Sequence, residues 1–481
     1  MLESYPSRSL NPLFLSSHSQ NFKHMKDRIT RRSFVKKSGV VGSLTSMATS
    51  MPAFGRTPDL KAASANPPEI SASVFPWDLA DEGLEKVLDN LEEMSGANSI
   101  YMCNLSQKTR PFRGGDYPHN PVRKSYTCED CRVYWQPDMK YYGKIKPLRT
   151  EREFLAKTDW VKAFRKATAK RGMKTGVELF HAWIDPSRFA KELPDSIQIN
   201  VFGKPVITHN YQNPAVCHNS PAFQEYAVGL YSDLAANYEL DYIQTCLIPY
   251  VLPTKYLTQN LPPDPIEWAL VAAEKGGCFC GHCKAAAKKS GFDLEEARKE
   301  LLILAKQDKQ AILDSGILAE EYLKQNPVLK RWLDFRCESV NNLYRLTSTA
   351  AKSFKPDIDI RWNHYTRTHS YYSGVDLPSF MNHVDSIRAN AFVEHQNNMK
   401  LVYDKVKYLE NFEKVAGERV HWVAALDIRG KDPSILEKSA ELSSYTGCDG
   451  YALSHYGGAP FENLKAVKRG LLKSKWAAYF K

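Results

Sequence analysis

Residues 176–186, GVELFHAWIDP, place ionisable side chains inside an apolar segment of the β type. Glu178 interrupts the apolar run, and His181, Trp183 and Asp185 follow before the proline ends it. A carboxylate can act as an acid, a base or a nucleophile, and imidazole and indole side chains can bind a polar ligand. A single carboxylate in a strand is as often a structural residue, so the function of Glu178 depends on what other segments carry at the same place.

Acids, amides and aromatic residues recur at the carboxyl ends of other apolar segments far apart in the chain. The recurring residues are Trp77, Asp78 and Asp81; Asn104; Gln244 and Tyr250; Arg361, Asn363, His364 and Tyr365; Asn390, Glu394 and His395; Asp427 and Arg429; and Ser454, His455 and Tyr456. Removing so many polar groups from water without a ligand is costly. The set as a whole therefore predicts a binding or catalytic site.

The segments that position these residues alternate apolar β-type runs with runs of helical periodicity. The eight apolar runs cover residues 69–75, 97–104, 176–186, 240–250, 357–365, 384–395, 419–430 and 448–458. Strict alternation of this kind indicates a parallel sheet with helices outside, and eight units close a (β/α)8 TIM barrel. We expect one barrel domain over residues 66–481, with long insertions after strand two (about 105–158) and strand four (about 251–330) on the face that carries the active sites of barrel enzymes.

Carboxylates that face each other across an aromatic cleft suit the cleavage of a glycosidic bond. One protonated acid assists the leaving oxygen while a second, ionised carboxylate attacks the anomeric carbon or activates water. We expect Glu394 to be the acid and Asp427 or Glu178 to be its partner. Trp362 and Tyr456 are among the aromatic residues that could stack on sugar rings. The expected substrate-binding residues are Trp77, Asp78, His181, Trp183, Tyr250, Asn363, His364, His395, Arg429 and His455.

Two long segments carry a family resemblance. The segments CHNSPAFQEYAVGLYSDLAANYELDYIQ and GCFCGHCKAAAKKSGFD, together with the eight βα units, resemble exported glycoside-hydrolase-like barrel proteins. The resemblance covers nearly all of residues 66–481 and implies a poly- or oligosaccharide substrate and no required cofactor. The chain departs from many retaining barrel glycosidases at strand four, which ends QTCLIPY without a carboxylate.

Two other functions remain open on the sequence. Hard-metal or zinc-type ligands occur at Glu178, His181, Glu394, His395, Asp427 and His455, which would suit a metal-dependent barrel hydrolase or isomerase. A non-catalytic carbohydrate-binding barrel would use the same aromatic and polar residues without a catalytic pair.

Ten cysteines include TCEDC at residues 127–131 and CFCGHC at residues 278–283. The pairs Cys128/Cys131 and Cys280/Cys283 would complete a structural zinc site of four thiolates if the two insertions meet. Disulfides formed after export and buried packing thiols are the alternatives. Cys217 and Cys337 carry no pattern.

The net charge of +11 is concentrated at the amino terminus. Residues 1–65 hold ten Lys or Arg against three acids, a charge of +7, which leaves +4 on the rest of the chain and predicts no nucleic-acid partner. The motif TRRSFVK, followed by a mildly apolar stretch at 40–54 and Ala63-Ser64-Ala65, resembles a twin-arginine export signal. We expect residues 1–65 to be signal peptide and linker, and the mature chain to be periplasmic or extracellular with no membrane span.

Overall fold

The computed structural model describes most of the chain beyond residue 66. The described ranges are 67–106, 117–126, 132–179, 192–207, 214–245, 250, 265–364 and 370–481. The expected signal peptide and linker, residues 1–65, lie outside them. So do four expected site residues, Cys128, Cys131, His181 and Trp183.

The strands of the described residues form one sheet that closes on itself. In chain order they are β1 (Glu69–Val74), β2 (Ser99–Ser106), β3 (Arg132–Val133), β4 (Leu148–Arg149), β5 (Lys174–Leu179), β6 (Tyr242–Thr245), β7 (Asp359–His364), β8 (Ser386–Ala389), β9 (His421–Leu426) and β10 (Gly450–His455). The eight longer strands pair in parallel, and β1 pairs with both β2 and β10, so the barrel is closed. The short strands β3 and β4 extend the sheet from β2.

Helices surround the barrel and connect its strands. In chain order they are α1 (Pro76–Glu82), α2 (Leu84–Ser95), α3 (Glu153–Ala156), α4 (Trp160–Lys170), α5 (Pro221–Asn237), α6 (Pro265–Lys275), α7 (Gly281–Lys289), α8 (Leu294–Lys306), α9 (Lys309–Asp314), α10 (Ala319–Gln325), α11 (Pro327–Phe354), α12 (Leu377–Phe380), α13 (Met399–Ala416), α14 (Pro433–Ser443) and α15 (Phe461–Leu472). The fold is the (β/α)8 TIM barrel that the sequence predicts, and helices α6–α11 lie between β6 and β7.

Local sequence signals start several of these helices. The side chains of Asp159, Ser220 and Asp432 accept hydrogen bonds from backbone N–H groups in the first turns of α4, α5 and α14. Each cap satisfies a donor that the helix itself leaves without a partner. No helix in the described residues combines the length and the apolar character that crossing a membrane requires.

The amino-terminal end of the barrel interior is closed by a buried ion pair. Arg361 of β7 donates from Nη1 to Glu69 Oε1 across 2.6 Å and from Nε to Ser386 Oγ across 2.8 Å. Its guanidinium lies 4.1 Å from the centre of the Tyr242 ring. Burial would raise the pKa of Glu69, but the charge of Arg361 outweighs it and holds that pKa well below its ordinary value. Arg361 therefore lies opposite the expected site, because it is the third residue of β7 and not one of the last.

Candidate active site

Glu178 lies inside the barrel towards the carboxyl end of β5 and is 2% exposed. Gln244 of β6 donates from Nε2 to its Oε2 across 2.9 Å. Cys103 of β2 places its sulfur 3.9 Å from the same oxygen, and Arg388 of β8 places Nη1 3.6 Å from it. Successive residues of a strand point to opposite faces of the sheet. The inward-facing residues of β2, β6 and β8 therefore surround the Glu178 carboxylate of β5 with polar side chains.

Arg388 connects the strands around Glu178. Its Nε donates to Asn363 Oδ1 and to Asn390 Oδ1, each across 3.1 Å, and its Nη1 donates to the hydroxyl of Tyr101. The amide nitrogens of Asn363 and Asn390 have no hydrogen-bond partner among the described residues, although both side chains are buried. Because Arg388 fixes both amide oxygens, the two nitrogens are available as donors to a ligand.

Asp427 follows directly after β9 and is fully buried. Its Oδ1 accepts hydrogen bonds from Arg429 Nε across 2.8 Å and from Ser454 Oγ across 2.9 Å. Its Oδ2 accepts from Arg429 Nη2 across 3.0 Å and lies 3.0 Å from His395 Nδ1. Burial alone would raise the pKa of Asp427, but Arg429 and then His395 outweigh it and hold the pKa well below its ordinary value. Asp427 is therefore ionised at neutral pH.

The two partners of Asp427 reach solvent. The side chain of Arg429 is 31% exposed and that of His395 is 47% exposed. A carboxylate on Nδ1 fixes the orientation of an imidazole ring. The Asp427 carboxylate thus positions a cation and an imidazole at the surface of the carboxyl end of the barrel.

His455, the last residue of β10, is close to Arg388 of the Glu178 group and to Asp427 and Arg429 of the other group. Its Nδ1 is 2.8 Å from Ser73 Oγ, and its ring packs 4.4 Å from the ring of Phe75. Burial, reinforced by the charges of Arg429 and Arg388, holds the pKa of His455 well below its ordinary value, while Asp427 acts in the opposite direction. His455 is therefore neutral, and a neutral imidazole has one nitrogen that donates and one that accepts a hydrogen bond.

Glu394 does not share this environment. Its Oε1 accepts from Lys405 Nζ across 2.5 Å and from Ser439 Oγ across 2.6 Å, and its Oε2 accepts from the backbone N–H groups of Val393 and Asp427. The carboxylate is fully buried and held by four donors. This geometry favours a structural function for Glu394 over the general-acid function that the sequence predicts, because four protein donors occupy both of its carboxylate oxygens.

Two further expected binding residues take part in packing near β1. Trp77 is fully buried, stacks on Phe75 at 4.3 Å and donates from Nε1 to the hydroxyl of Tyr117. Asp78 accepts a hydrogen bond from the backbone N–H of Phe75 at the start of α1. Burial raises the pKa of Asp78 to about 7, although the Phe75 hydrogen bond lowers it. Asp78 Oδ1 also lies close against the backbone of Gly457, where a Cβ would come within 2.3 Å.

Other aromatic candidates are buried away from Glu178. Tyr250 packs 4.8 Å from the ring of His218. Trp362 points outwards from β7 and packs 4.6 Å from Phe380 of α12. Tyr456 donates its hydroxyl hydrogen to Glu82 Oε2 across 2.9 Å. Trp362 and Tyr456 are 2% and 0% exposed, so neither ring presents a face to solvent in this arrangement. The side chain of His364 lies outside the described residues, as do His181 and Trp183.

From the expected set, the structure places Glu178 and Asn363 beside Arg388, and it places His395 and Arg429 on the Asp427 carboxylate. The charges of Arg388 and Asp427 both act on His455. The structure adds Arg388, Tyr101 and Cys103, which the sequence analysis did not single out. The sequence pattern of β8 could have indicated Arg388, because alternate residues face inwards and Ser386 and Arg388 share that face. A charged residue on the inward face of a barrel strand requires a partner, and this requirement alone would have selected Arg388.

The described residues contain one group of side chains that could hold a metal ion, and it lies away from these acids. Cys217, Cys278, Cys280 and Cys283 have sulfur atoms within 4.8 Å of one another, and all four residues are buried. The sequence led us to pair Cys280 and Cys283 with Cys128 and Cys131. The structure instead supplies Cys217 and Cys278 as their neighbours, while the other two cysteines lie outside the described residues.

No protein-family model and no curated protein matches the chain. Solved structures of similar backbone include a GH42 β-galactosidase, with a TM-score of 0.52 and 12% identity over 85% of this chain. Another is the cold-adapted β-galactosidase from Rahnella sp. R3, with a TM-score of 0.51 and 11% identity over 86% of this chain. This chain spans 57% of the length of each of them. The comparisons show that the chain has the closed (β/α)8 barrel found in glycoside hydrolases.

Proposed function

We propose that the protein is a glycosidase that cleaves a poly- or oligosaccharide at the carboxyl end of its barrel. The observation that carries the proposal is the pair Glu178 and Asp427. These buried carboxylates come from strands far apart in the sheet, and polar side chains with unused donors lie beside one of them. Two carboxylates of different environment are what glycosidic bond cleavage requires.

Asp427 is suited to be the ionised member of the pair. Its pKa lies well below the ordinary value because Arg429 and His395 outweigh the effect of burial. An ionised carboxylate can attack the anomeric carbon or activate a water molecule. In its protonated form Glu178 would supply the proton to the leaving oxygen, and Gln244 and Arg388 fix the orientation of its carboxyl group. This pair replaces Glu394 as the expected acid, and the reaction needs no cofactor.

Substrate binding falls to the neutral groups between the two carboxylates. Asn363 and Asn390 each offer an amide nitrogen, and His455 is held neutral. Amide donors and a neutral imidazole match the hydroxyl groups of a sugar, which both donate and accept hydrogen bonds. The barrel that the chain shares with two β-galactosidases supports a carbohydrate substrate.

The test is hydrolysis of a panel of aryl glycosides by the full chain and by two variants. Glu178→Gln and Asp427→Asn keep the shape of each side chain and remove its acid–base function. We expect each variant to lose roughly a thousandfold or more in kcat/KM, because the pair acts as a unit. The matched control is Glu394→Gln, which removes a buried carboxylate of the same kind outside the pair. In folded protein it should change kcat/KM by less than about tenfold.

Three results would overturn this assignment. They are hydrolysis by both variants at the wild-type rate, a loss confined to Glu394→Gln, and sugar binding by a wild-type protein that cleaves none of the panel. The last result would indicate a carbohydrate-binding barrel without catalytic activity. The anomer that is released first, followed by NMR, distinguishes a retaining reaction from an inverting one.

We also propose that the chain is exported through the twin-arginine motif at Arg31 and Arg32. The motif, the apolar stretch and the small-residue site occur in the required order. Cell fractionation tests this proposal. The wild-type chain should be found in the periplasm or medium, whereas Arg31→Lys combined with Arg32→Lys should remain in the cytoplasm. Equal export of both proteins would contradict it.

A further inference from the structure

Four cysteines from two distant segments meet beside the barrel. Cys278, Cys280 and Cys283 lie between α6 and the first turn of α7, and Cys217 lies shortly before α5. Their exposed fractions range from 0% to 8%. Buried thiols are common as single packing residues, but four of them in mutual contact require an explanation of their own.

The distances fit a single metal ion better than disulfides. Cys217 Sγ lies 3.4 Å from Cys283 Sγ and 3.4 Å from Cys280 Sγ, and all four sulfur atoms lie within 4.8 Å of one another. Zinc–thiolate bonds of about 2.3 Å place the corners of a tetrahedron about 3.8 Å apart. Disulfides require sulfur–sulfur bonds of about 2.05 Å, and these four cysteines are free thiols with contacts of 3.4 Å. A cluster of several irons would spread its thiolates farther apart, since they are divided between more than one iron.

The backbone around the cluster is shaped to hold thiolates. Cys280 is the residue before α7, so the sulfur atoms of the CFCGHC segment lie at the amino-terminal end of a nine-residue helix. The helix dipole favours negative charge at that end. Asn219 places Nδ2 3.4 Å from Cys283 Sγ and also donates to Ser339 Oγ across 2.9 Å. Ser339 thus holds the Asn219 amide beside the sulfur of Cys283. Outer-shell partners of this kind orient the ligands of a metal site.

The approach to the cluster is also constrained. Gly277 has a φ of +76°, and a Cβ on it would come within 2.2 Å of the Trp332 ring of α11. The chain therefore turns sharply just before Cys278 and needs glycine to do so. The backbone N–H of Phe279 donates to the carbonyl oxygen of Ile199 across 2.7 Å, which ties the cysteine segment to the connection that follows β5.

A buried cation lies close to the same turn. Arg336 of α11 is 1% exposed, and its guanidinium nitrogens have no hydrogen-bond partner among the described residues. It packs 4.5 Å from the Tyr250 ring and 4.7 Å from the Trp332 ring, and its Nη2 lies 3.2 Å from the position of a Cβ on Gly276. An uncompensated buried charge is costly. A divalent metal with four thiolates carries a net charge of 2−, which would offset the Arg336 charge. Tyr250 is close to both, since the charges of the cysteines and of Arg336 act on it.

We propose that Cys217, Cys278, Cys280 and Cys283 form a structural site for one zinc ion. The site joins the connection after β6 to the segment before α5. Cys217 in that segment precedes Cys278, the nearest of the other three cysteines, by 61 residues. Closing this loop by a metal restricts the unfolded chain and positions α6 and α7 on the barrel. The site has no open coordination position, because four protein ligands complete the tetrahedron, so its function is structural and not catalytic.

The proposal is tested by metal analysis and cobalt substitution of the full chain. Protein purified with Zn²⁺ should hold one equivalent at this site. After removal of the metal, added Co²⁺ should produce thiolate-to-cobalt charge-transfer absorption and the visible bands of a tetrahedral site. Cys217→Ser should lower the affinity for Co²⁺ by at least about a hundredfold. Loss of an outer-shell partner costs up to about a hundredfold, and loss of a direct ligand should cost no less. Chelation of the metal should lower the melting temperature of the wild type.

Two control variants distinguish this ligand set from other arrangements. Cys448→Ser alters an equally buried thiol outside the cluster and should bind Co²⁺ as the wild type does. Cys128→Ser combined with Cys131→Ser should also leave the cobalt spectrum unchanged. The proposal fails if the wild type shows no thiolate–cobalt absorption. It also fails if the Cys128/Cys131 variant abolishes that absorption, or if protein purified without reductant contains a disulfide within the cluster. None of these results depends on glycosidase activity.

Discussion

Lys405 Nζ and Glu394 Oε1 lie 2.5 Å apart, and neither side chain has any exposed surface. The ion pair joins helix α13 to the turn after β8. Glu394 also accepts from the backbone N–H of Asp427, so the pair fixes the start of the loop that carries the catalytic candidate.

The first prediction concerns the stability that this ion pair provides. Glu394→Gln leaves the Lys405 charge buried without its counter-ion and should lower the free energy of unfolding by about 3–5 kcal/mol. Lys405→Met added to Glu394→Gln removes the stranded charge and should restore part of the loss. Urea unfolding of the three proteins measures both effects. A double variant no more stable than Glu394→Gln would show that the charge is not the cause.

The second prediction concerns Arg388, the cation beside Glu178. Arg388→Lys cannot donate to Asn363, Asn390 and Tyr101 at once, because an ammonium lacks the planar fork of a guanidinium. We expect kcat/KM to fall by about a hundredfold or more. The measurement is hydrolysis of the best substrate of the aryl glycoside panel.

The matched control for Arg388 is Arg361→Lys on the neighbouring strand. Arg361 is equally buried but lies at the amino-terminal end of the barrel, where it binds Glu69. We expect this variant to melt at a lower temperature and to keep kcat/KM within about threefold of the wild type. Equal loss of activity in both variants would mean that Arg388 acts only through stability.

The third prediction is the pH dependence of the stability from Asp427. Its pKa in the folded protein is well below the ordinary value, so its contribution is fully present above about pH 5 and is lost as the pH falls towards the folded pKa. The difference in unfolding free energy between the wild type and Asp427→Asn should therefore shrink as the pH falls from about 5 to about 3. A difference that stays constant over this range would contradict the assignment.

The fourth prediction has the opposite sign and concerns Asp78. Burial raises its pKa from 3.8 to about 7, so the folded state binds a proton that the unfolded state releases. Its contribution is fully present below the unfolded pKa and is lost as the pH rises through the folded pKa. Asp78→Asn should thus gain stability relative to the wild type between about pH 4 and pH 7. Thermal melts across this range provide the measurement, and a relative loss with rising pH would refute the assignment.

The sequence determined the barrel because the signals for its elements are local. Apolar runs predicted at 69–75 and 448–458 correspond to β1 at Glu69–Val74 and β10 at Gly450–His455. Side chains at the last inward positions of parallel strands must meet at one end of the barrel, whatever the loops do. For this reason Asn363 and His455 could be selected from spacing alone.

The same reasoning failed where a strand ended earlier than its apolar run. The predicted strand 384–395 stops at Ala389, and Glu394 lies five residues beyond in a short 3₁₀ turn. That turn directs its carboxylate towards Lys405. On β7, the alternation of faces points Trp362 out towards α12 although its neighbours face inwards. One residue of displacement in a strand reverses the face of a side chain, so small errors in boundaries change functional assignments.

Contacts between side chains that are far apart in the sequence depend on the tertiary structure alone. The spacing within CFCGHC indicates that its cysteines can bind one metal ion together. The sequence around Cys217 gives no sign that it belongs with these cysteines, which follow it by 61 to 66 positions. Likewise, the pKa of Asp427 depends on Arg429 and His395 together with the burial that the closed barrel imposes. Sequence patterns fix which face a residue occupies, whereas the neighbour across a packed interior depends on how all eight units close, and this closure is a property of the whole chain.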